Sequence, residues 1–340
     1  MIRQISGHTA NDLWKSAFRA VLKSPKQESR AGTTKELLHV ALSIDNPKQR
    51  WITSRFPVIN PAFAIAEIIW ILNGRNDLEF LYHWNKNYSD YAGDSPRLHG
   101  AYGFRLSKHF GFNQITSAYH ALKNNPDSRQ VLLQIWDPRI DLPSRSGAAR
   151  SKDIPCNLIS LVKVRNSKLE WMQILRSNDI FRGLPYNILQ FTTLQEIMAG
   201  WLGLKVGTYN QISDSLHLYL RELKSIKSVH RSQKLNTDSL VLPYRESRAA
   251  FKAMEKLCCK LMTTATSSGI ESLLENCRLP VAYKNLFLML AAEQARRNAL
   301  APLTRDIISQ CTNPALRDIW GIWFLSKEAK KARASRHKDI

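Results

Sequence analysis

Apolar positions recur at helical spacing from the start of the chain. Leu13, Trp14, Ala17, Phe18, Val21 and Leu22 predict an amphipathic helix over residues 9–23. LLHVALSI, Leu37 to Ile44, reads as a strand. NPAFAIAEIIWILNG is an apolar helix with Asn60 as cap, Pro61 in the first turn and Gly74 just past the end. QVLLQIW, Gln130 to Trp136, reads as a strand after the turn NNPDS. NLISLVKVRNSKLEWMQILRS alternates as a hairpin should, with Asn166 and Ser167 near the turn. A helix follows from about Pro185 to Trp201, stopped at Gly203, and LKVGTYNQISDSLHLYL begins as a strand and ends in a polar segment. Beyond residue 223 the pattern is helical: ESRAAFKAMEKLCCKLM, VAYKNLFLMLAAEQARRNAL and PALRDIWGIWFLSKEAKKA, punctuated by Pro243 and Pro280. These elements predict an α/β part over 1–222 and a helical part over 223–340, with a loose boundary near 222–242.

Composition changes this picture little. A chain of 340 residues with 44% hydrophobic and 23% charged residues has an ordinary globular make-up. No apolar run reaches the roughly 18 residues of a membrane span, and the opening residues lack an apolar signal core. The five cysteines, Cys156, Cys258, Cys259, Cys277 and Cys311, have neither zinc nor disulfide spacing, so reduced thiols and a cytoplasmic location are expected, with no metal. The net charge of +21 favours anionic partners. Its excess is strong in KEAKKARASRHK, Lys327 to Lys338, a solvated face or a contact for nucleic acid.

Three clusters carry candidate chemistry. Cys156 in DIPCNL is either a small buried filler or a nucleophile, and Arg129 and Arg176 at nearby strand edges favour the second, because cations stabilise a thiolate. RSNDIFRGLPYN, Arg176 to Asn187, is a binding loop entering a helix or an exposed turn. His217 and Tyr219 share one face of a strand, where they hold a sugar hydroxyl or form a buried pair. Glu67 stands on an otherwise apolar helix, a costly position for a carboxylate without a purpose.

The runs PDSRQVLLQIWDP, IPCN, LRSNDIFRGLPYN and SDSLHLY, in this order, resemble thymidylate synthase and the pyrimidine nucleotide hydroxymethylases. The resemblance covers roughly residues 10–222 and implies an α/β fold with a large mixed sheet, here with a helical C-terminal extension. It also implies a homodimer that transfers one carbon from 5,10-methylenetetrahydrofolate to C5 of a uracil nucleotide. Cys156 then matches the nucleophile that adds at C6. Arg30, Arg176 and Ser177 match phosphate ligands, with Arg176 also polarising the thiol, and Arg129 matches an arginine lent across the dimer. Asp179 and Gly183 match residues bounding the folate and ring side. Asn187 matches the amide that reads O4 and N3, His217 and Tyr219 the pair that holds the 3′-hydroxyl, Glu67 the glutamate that organises protons, and Tyr102 the tyrosine near C5.

Departures from the family pattern fall mainly on the folate side. Gln130, Asn157 and Leu175 stand where arginine, histidine and glutamine are usual. RFPVINPAFAIAE is short of its lysine-bearing loop, Tyr88 and Tyr91 replace tryptophans, and SDSLHLY carries one extra residue. The family's closing C-terminus is replaced by the helical extension. Methylation of dUMP is the leading expectation. Hydroxymethylation is the rival, and a binding protein with a retained pocket is the alternative of another class.

Overall fold

The computed structural model describes residues 2–29, 31–88, 95–229 and 233–336, with side chains described only as far as residue 328. Arg30, Tyr91 and the end of the basic run, His337 and Lys338, therefore lie outside the described residues, as do most of that run's side chains.

A mixed sheet organises the chain. Its backbone order is β1 (Arg3–Gly7), β3 (Thr34–Ile44), β9 (Lys205–Tyr219), β7 (Lys168–Leu175), β6 (Asn157–Arg165) and β5 (Leu132–Gln134). The short β2 (Lys26–Gln27) pairs with β3, and β8 (Asn178–Asp179) pairs with β9, giving eight strands. β1–β3 and β7–β9 are parallel; β3–β9, β6–β7 and β5–β6 are antiparallel. A separate two-residue ladder joins β4 (Arg55–Phe56) to β10 (Lys227–Ser228).

Local chemistry explains most boundaries. The opening helix α1 spans Ala10–Leu22, and the Thr9 side chain accepts from the Asp12 N–H. Helix α2 spans Pro61–Leu72 with Asn60 as cap, and every residue from Pro61 to Ile71 is buried. The β6–β7 turn places Asn166 and Ser167 at φ of 51° and 56°, the left-handed pair a two-residue hairpin requires. Helix α3 spans Leu78–Trp84 and α4 spans Gln114–Asn124. Helix α5 spans Gly183–Leu202 and ends at Gly203 with φ of 67°.

Two expected boundaries shift. The strand over Gln130–Trp136 shortens to Leu132–Gln134, because it pairs only with β6 at the sheet edge. The expected polar tail of LKVGTYNQISDSLHLYL stays in β9 through Tyr219, because β3 pairs with it along that length.

The C-terminal part contains α6 (Tyr244–Thr263), α7 (Ser267–Glu275), α8 (Val281–Arg297), α9 (Ala301–Ser309) and α10 (Pro314–Arg336). The apolar pattern had marked three of these; α7 and α9 are short, nine-residue additions. α6, α8 and α10 pack against α2, and one contiguous core runs through both parts of the chain. Polar ties reinforce the join. The Asn73 amide donates to the Phe251 carbonyl at 3.3 Å, Arg75 pairs with Glu255 at 3.1 Å, and Arg297 donates to the Trp84 carbonyl at 2.7 Å. No described helix is long and apolar enough to cross a membrane.

Candidate active site

Cys156 sits at the entrance to β6, and the Arg176 N–H donates to its carbonyl at 3.0 Å. The Arg176 guanidinium straps the same turn, Nε to the Pro155 carbonyl and Nη2 to the Ile154 carbonyl, both at 3.0 Å. Burial pushes the Cys156 thiol upward, Arg176 pulls it down, and Asp153 and Asp179 push it up again. Burial thus favours the thiol at Cys156, and Arg176 is the cation that opposes it. Arg129 is exposed in the turn before β5 and is not among the charges acting on Cys156.

Helix α2 brings Glu67 to the same place, and α5 brings Gln190 against it. Glu67 is buried, and its Oε2 lacks a hydrogen-bond partner among the described residues. Desolvation raises its pKa to about 8, opposed by the hydrogen bond from Gln190. Tyr88 and Tyr102 tie Glu67 and Cys156 together, since each phenol feels both groups. Burial raises both phenols, and Tyr102 also hydrogen-bonds Asn157. Glu67 and Tyr102 were thus brought to Cys156 from a helix and from the turn Tyr102–Phe104.

A folded carboxyl with a raised pKa binds its proton more tightly than the unfolded one. Its stabilisation is complete below about pH 4.5 and is lost as pH rises toward 8. The expected size is roughly 3 to 5 kcal/mol. Chemical denaturation at pH 5 and pH 9 should show this loss in the native chain and a much smaller one in Glu67→Gln. Equal pH slopes would rule out a buried, protonated Glu67.

Asn187, the fifth residue of α5, is buried and bonded on both sides: Asn157 Nδ2 donates to its Oδ1 at 3.1 Å, and its Nδ2 donates to Asn178 Oδ1 at 3.3 Å. Gly183 leaves room for this pair, because a Cβ there would come within 3.2 Å of Asn178 Oδ1 and 3.6 Å of Asn187 Nδ2. Asp179 turns inward to cap the loop, accepting from the Phe181 and Arg182 N–H groups at 2.7 and 2.9 Å, while burial raises its pKa. His217 lies opposite Asp179 in the β8–β9 ladder, and its ring meets Tyr219 edge to face at 5.3 Å. Ser177 is half-buried between β7 and β8. The structure therefore groups Cys156, Arg176, Asp179, Gly183, Asn187 and His217 around β6, β8 and the head of α5.

Several participants had not been singled out. Asp153, raised by burial, accepts from the Gly100 N–H at 2.8 Å. Arg55 is buried, lies 3.9 Å over the Phe181 ring, donates to the Phe181 carbonyl at 2.8 Å, and is lowered to about 10 by burial. Ser160, Gln173, Gln211 and Ser213 are buried polar residues at inward strand positions. Their polarity within apolar alternation was the available signal. A cavity of about 420 Å³ lies elsewhere, lined by Arg97, His99, His109 and Arg150, and does not include Cys156.

A family model described as thymidylate synthase matches residues 14–259. The chain belongs to the thymidylate synthase family. It is 37% identical over 227 residues to a deoxyuridylate hydroxymethyltransferase of Bacillus phage SP01, covering 63% of this chain and 58% of that one. A protein of the same name from Delftia phage PhiW-14 is 30% identical, with 63% and 61% covered. The thymidylate synthase of Enterobacteria phage T4 is 28% identical, with 65% and 83% covered. The chain spans about half to three fifths of the hydroxymethyltransferase relatives it matches. The match into α6 joins the first C-terminal helix to the family region. The named relatives in this family are of two kinds, deoxyuridylate hydroxymethyltransferases and thymidylate synthases.

Proposed function

We propose that the chain transfers one carbon from 5,10-methylenetetrahydrofolate to C5 of dUMP through a covalent bond from Cys156 to C6, and that the product is the 5-hydroxymethyl nucleotide. The observation that carries the transfer is the convergence of Cys156, Glu67 and Tyr102 beside the Asn157–Asn187 amide pair. Uracil C5 is a poor nucleophile until sulfur adds at C6, when charge moves to O4. An amide donor there stabilises that charge. The nucleotide's own negative charge draws on the Arg176 guanidinium, which is already seated at the Cys156 turn and lowers the thiol pKa. Protonated Glu67 holds a proton close to the ring. Tyr102, which neighbours Cys156 and Asn157, would assist removal of the C5 proton.

The folate supplies the carbon when bound. The half-buried rings of Tyr88 and Tyr186, backed by the buried Phe63 at 5.6 and 5.3 Å between centroids, would flank its ring system, and Tyr88 is close enough to feel the Glu67 carboxyl. The hydroxymethyl product is supported by the names of the phage relatives and by a phenol at Tyr88 in place of an indole. A polar ring edge there eases entry of the water that this product requires. Methylation is the second reading, favoured by the thymidylate synthase relatives. Incubation with dUMP and the folate separates the two by mass spectrometry: tetrahydrofolate with 5-hydroxymethyl-dUMP, or dihydrofolate with dTMP. Absence of both products would overturn the transfer itself. Phosphate binding by Arg30, Arg129 and Ser177, and the homodimer that Arg129 would serve, form part of the same proposal. A role for the basic C-terminus with nucleic acid is not needed for it.

Asn187→Asp should exchange the amide donor for an acceptor. Binding of dUMP is expected to weaken about tenfold or more, with dCMP gaining relative to it. An unchanged preference would remove the assignment of Asn187 to the base edge.

A further inference from the structure

The amide of Asn187 belongs to a longer buried chain of hydrogen bonds whose direction is set at one end. Trp171, on β7, carries an indole N–H that can only donate. It donates to Gln173 Oε1 at 3.3 Å, and Ser160 Oγ donates to the same oxygen at 2.6 Å. That leaves the Gln173 Nε2 side facing Asn157, whose Oδ1 accepts from it at 3.0 Å. Asn157 must then turn its Nδ2 to Asn187, where Oδ1 accepts at 3.1 Å. Asn187 in turn points its Nδ2 to Asn178 Oδ1, and Asn178 Nδ2 donates to Ser213 Oγ at 3.1 Å. Every member is buried: Trp171 and Asn178 are 1% exposed, Ser160, Gln173, Asn157 and Ser213 are 0% exposed, and Asn187, at the site, is 6% exposed. Water therefore cannot substitute for a misdirected amide, and a reversed one leaves buried donors facing each other.

The fold builds this row by register. Trp171, Gln173 and Leu175 of β7 lie opposite Tyr209, Gln211 and Ser213 of β9. A bulge in β6 between Asn157 and Ile159 shifts the alternation by one residue. Asn157 consequently turns to the same buried face as Ser160 and Val162.

We infer that Trp171, Gln173 and Asn157 form a positioning relay that fixes which way the Asn187 amide points and thereby sets uracil over cytosine. The inference rests on the assignment of Asn187 to the base edge. With Oδ1 already accepting once and Nδ2 donating once, Asn187 keeps one lone pair and one hydrogen. In this orientation they suit the N3–H and O4 of uracil. A reversed amide suits the N3 and N4–H₂ of cytosine. A symmetrical amide side chain cannot choose by itself, because its two ends have nearly the same shape. The donor-only indole breaks that symmetry through two intermediates.

The test is equilibrium binding of dUMP and dCMP to the full chain and to Gln173→Met, which keeps volume but carries no polarity. The ratio of dUMP to dCMP affinity should fall about tenfold, reflecting loss of one oriented buried hydrogen bond. kcat at saturating dUMP should fall less than kcat/KM. Trp171→Phe, which removes the indole donor, gives a second, milder measure, with a fall of about threefold expected. Gln173→Glu adds a readout that a packing role would not move. Its neutral acid can donate to Asn157 as glutamine does, but its carboxylate cannot, so its preference for dUMP should decline as pH rises. A native ratio in a folded Gln173→Met, or in Trp171→Phe should the first not fold, overturns the relay. Equal binding of dUMP and dCMP by the native chain overturns the base assignment beneath it.

Discussion

Cys156→Ser should reduce turnover by on the order of 10⁴-fold or more while nucleotide binding survives. A serine hydroxyl in this half-buried turn has no accessible anion, whereas the thiol is pushed up by desolvation but drawn back by Arg176. The strap from Arg176 uses the Ile154 and Pro155 carbonyls and not the sulfur, so it should persist in the variant with the cation in place. Two measurements check this. Product formation should vanish, and 5-fluoro-dUMP with the folate should form a covalent complex, seen by intact-mass measurement, with the native chain only. Covalent capture by the serine variant, or residual turnover near the native rate, would show that another residue attacks.

The second large effect concerns the C-terminal helices. A chain ending at residue 242 should fail to fold cooperatively. Helix α2 is buried all round, and α6, α8 and α10 cover part of it. Their removal uncovers the apolar partners of Phe251, Met254, Tyr283, Phe287 and Leu290, all now in the shared core. Each large side chain contributes about 1.5 to 3 kcal/mol by burial, so five of them rival the 5 to 15 kcal/mol that separates a typical folded domain from its unfolded chain. The Tyr283 hydroxyl also ties α8 to the Leu240 carbonyl at 2.8 Å, and Asn285 donates to Asp238 at 3.0 Å. Circular dichroism and thermal unfolding of the shortened chain would decide the matter. A soluble product with a native-like transition would mean that residues 1–242 are self-sufficient and that the helices are an independent addition. Because α2 presents Glu67, loss of its backing should also disturb the active site before it disturbs the sheet.

The two effects have different origins. The first removes the sulfur proposed to react and leaves the fold; the second removes the support beneath the helix that presents Glu67. Glu67 connects them: it is costly on an apolar helix, and its raised pKa is the direct result of that burial.

The local chemistry of the chain was sufficient for its regular elements. Caps at Thr9 and Asn60, the left-handed turn at Asn166 and Ser167 and the stop at Gly203 are decided within a few residues, so sequence determines them. The family-specific run from Arg176 to Asn187 and the isolated carboxylate Glu67 were likewise legible, because polar groups in apolar surroundings carry a cost that needs a reason. Tertiary structure alone decided the rest. The extent of β9 depends on pairing with β3, and the length of β5 on its edge position. The pKa of Glu67 depends on α5 and on the packing around α2, and that of Cys156 on an arginine twenty residues away. The relay from Trp171 to Asn187 depends on a one-residue bulge in β6, which no local propensity specifies. Short-range energies select turns and caps; the polarity of a buried amide is selected by partners that only the assembled sheet brings within 3 Å or so.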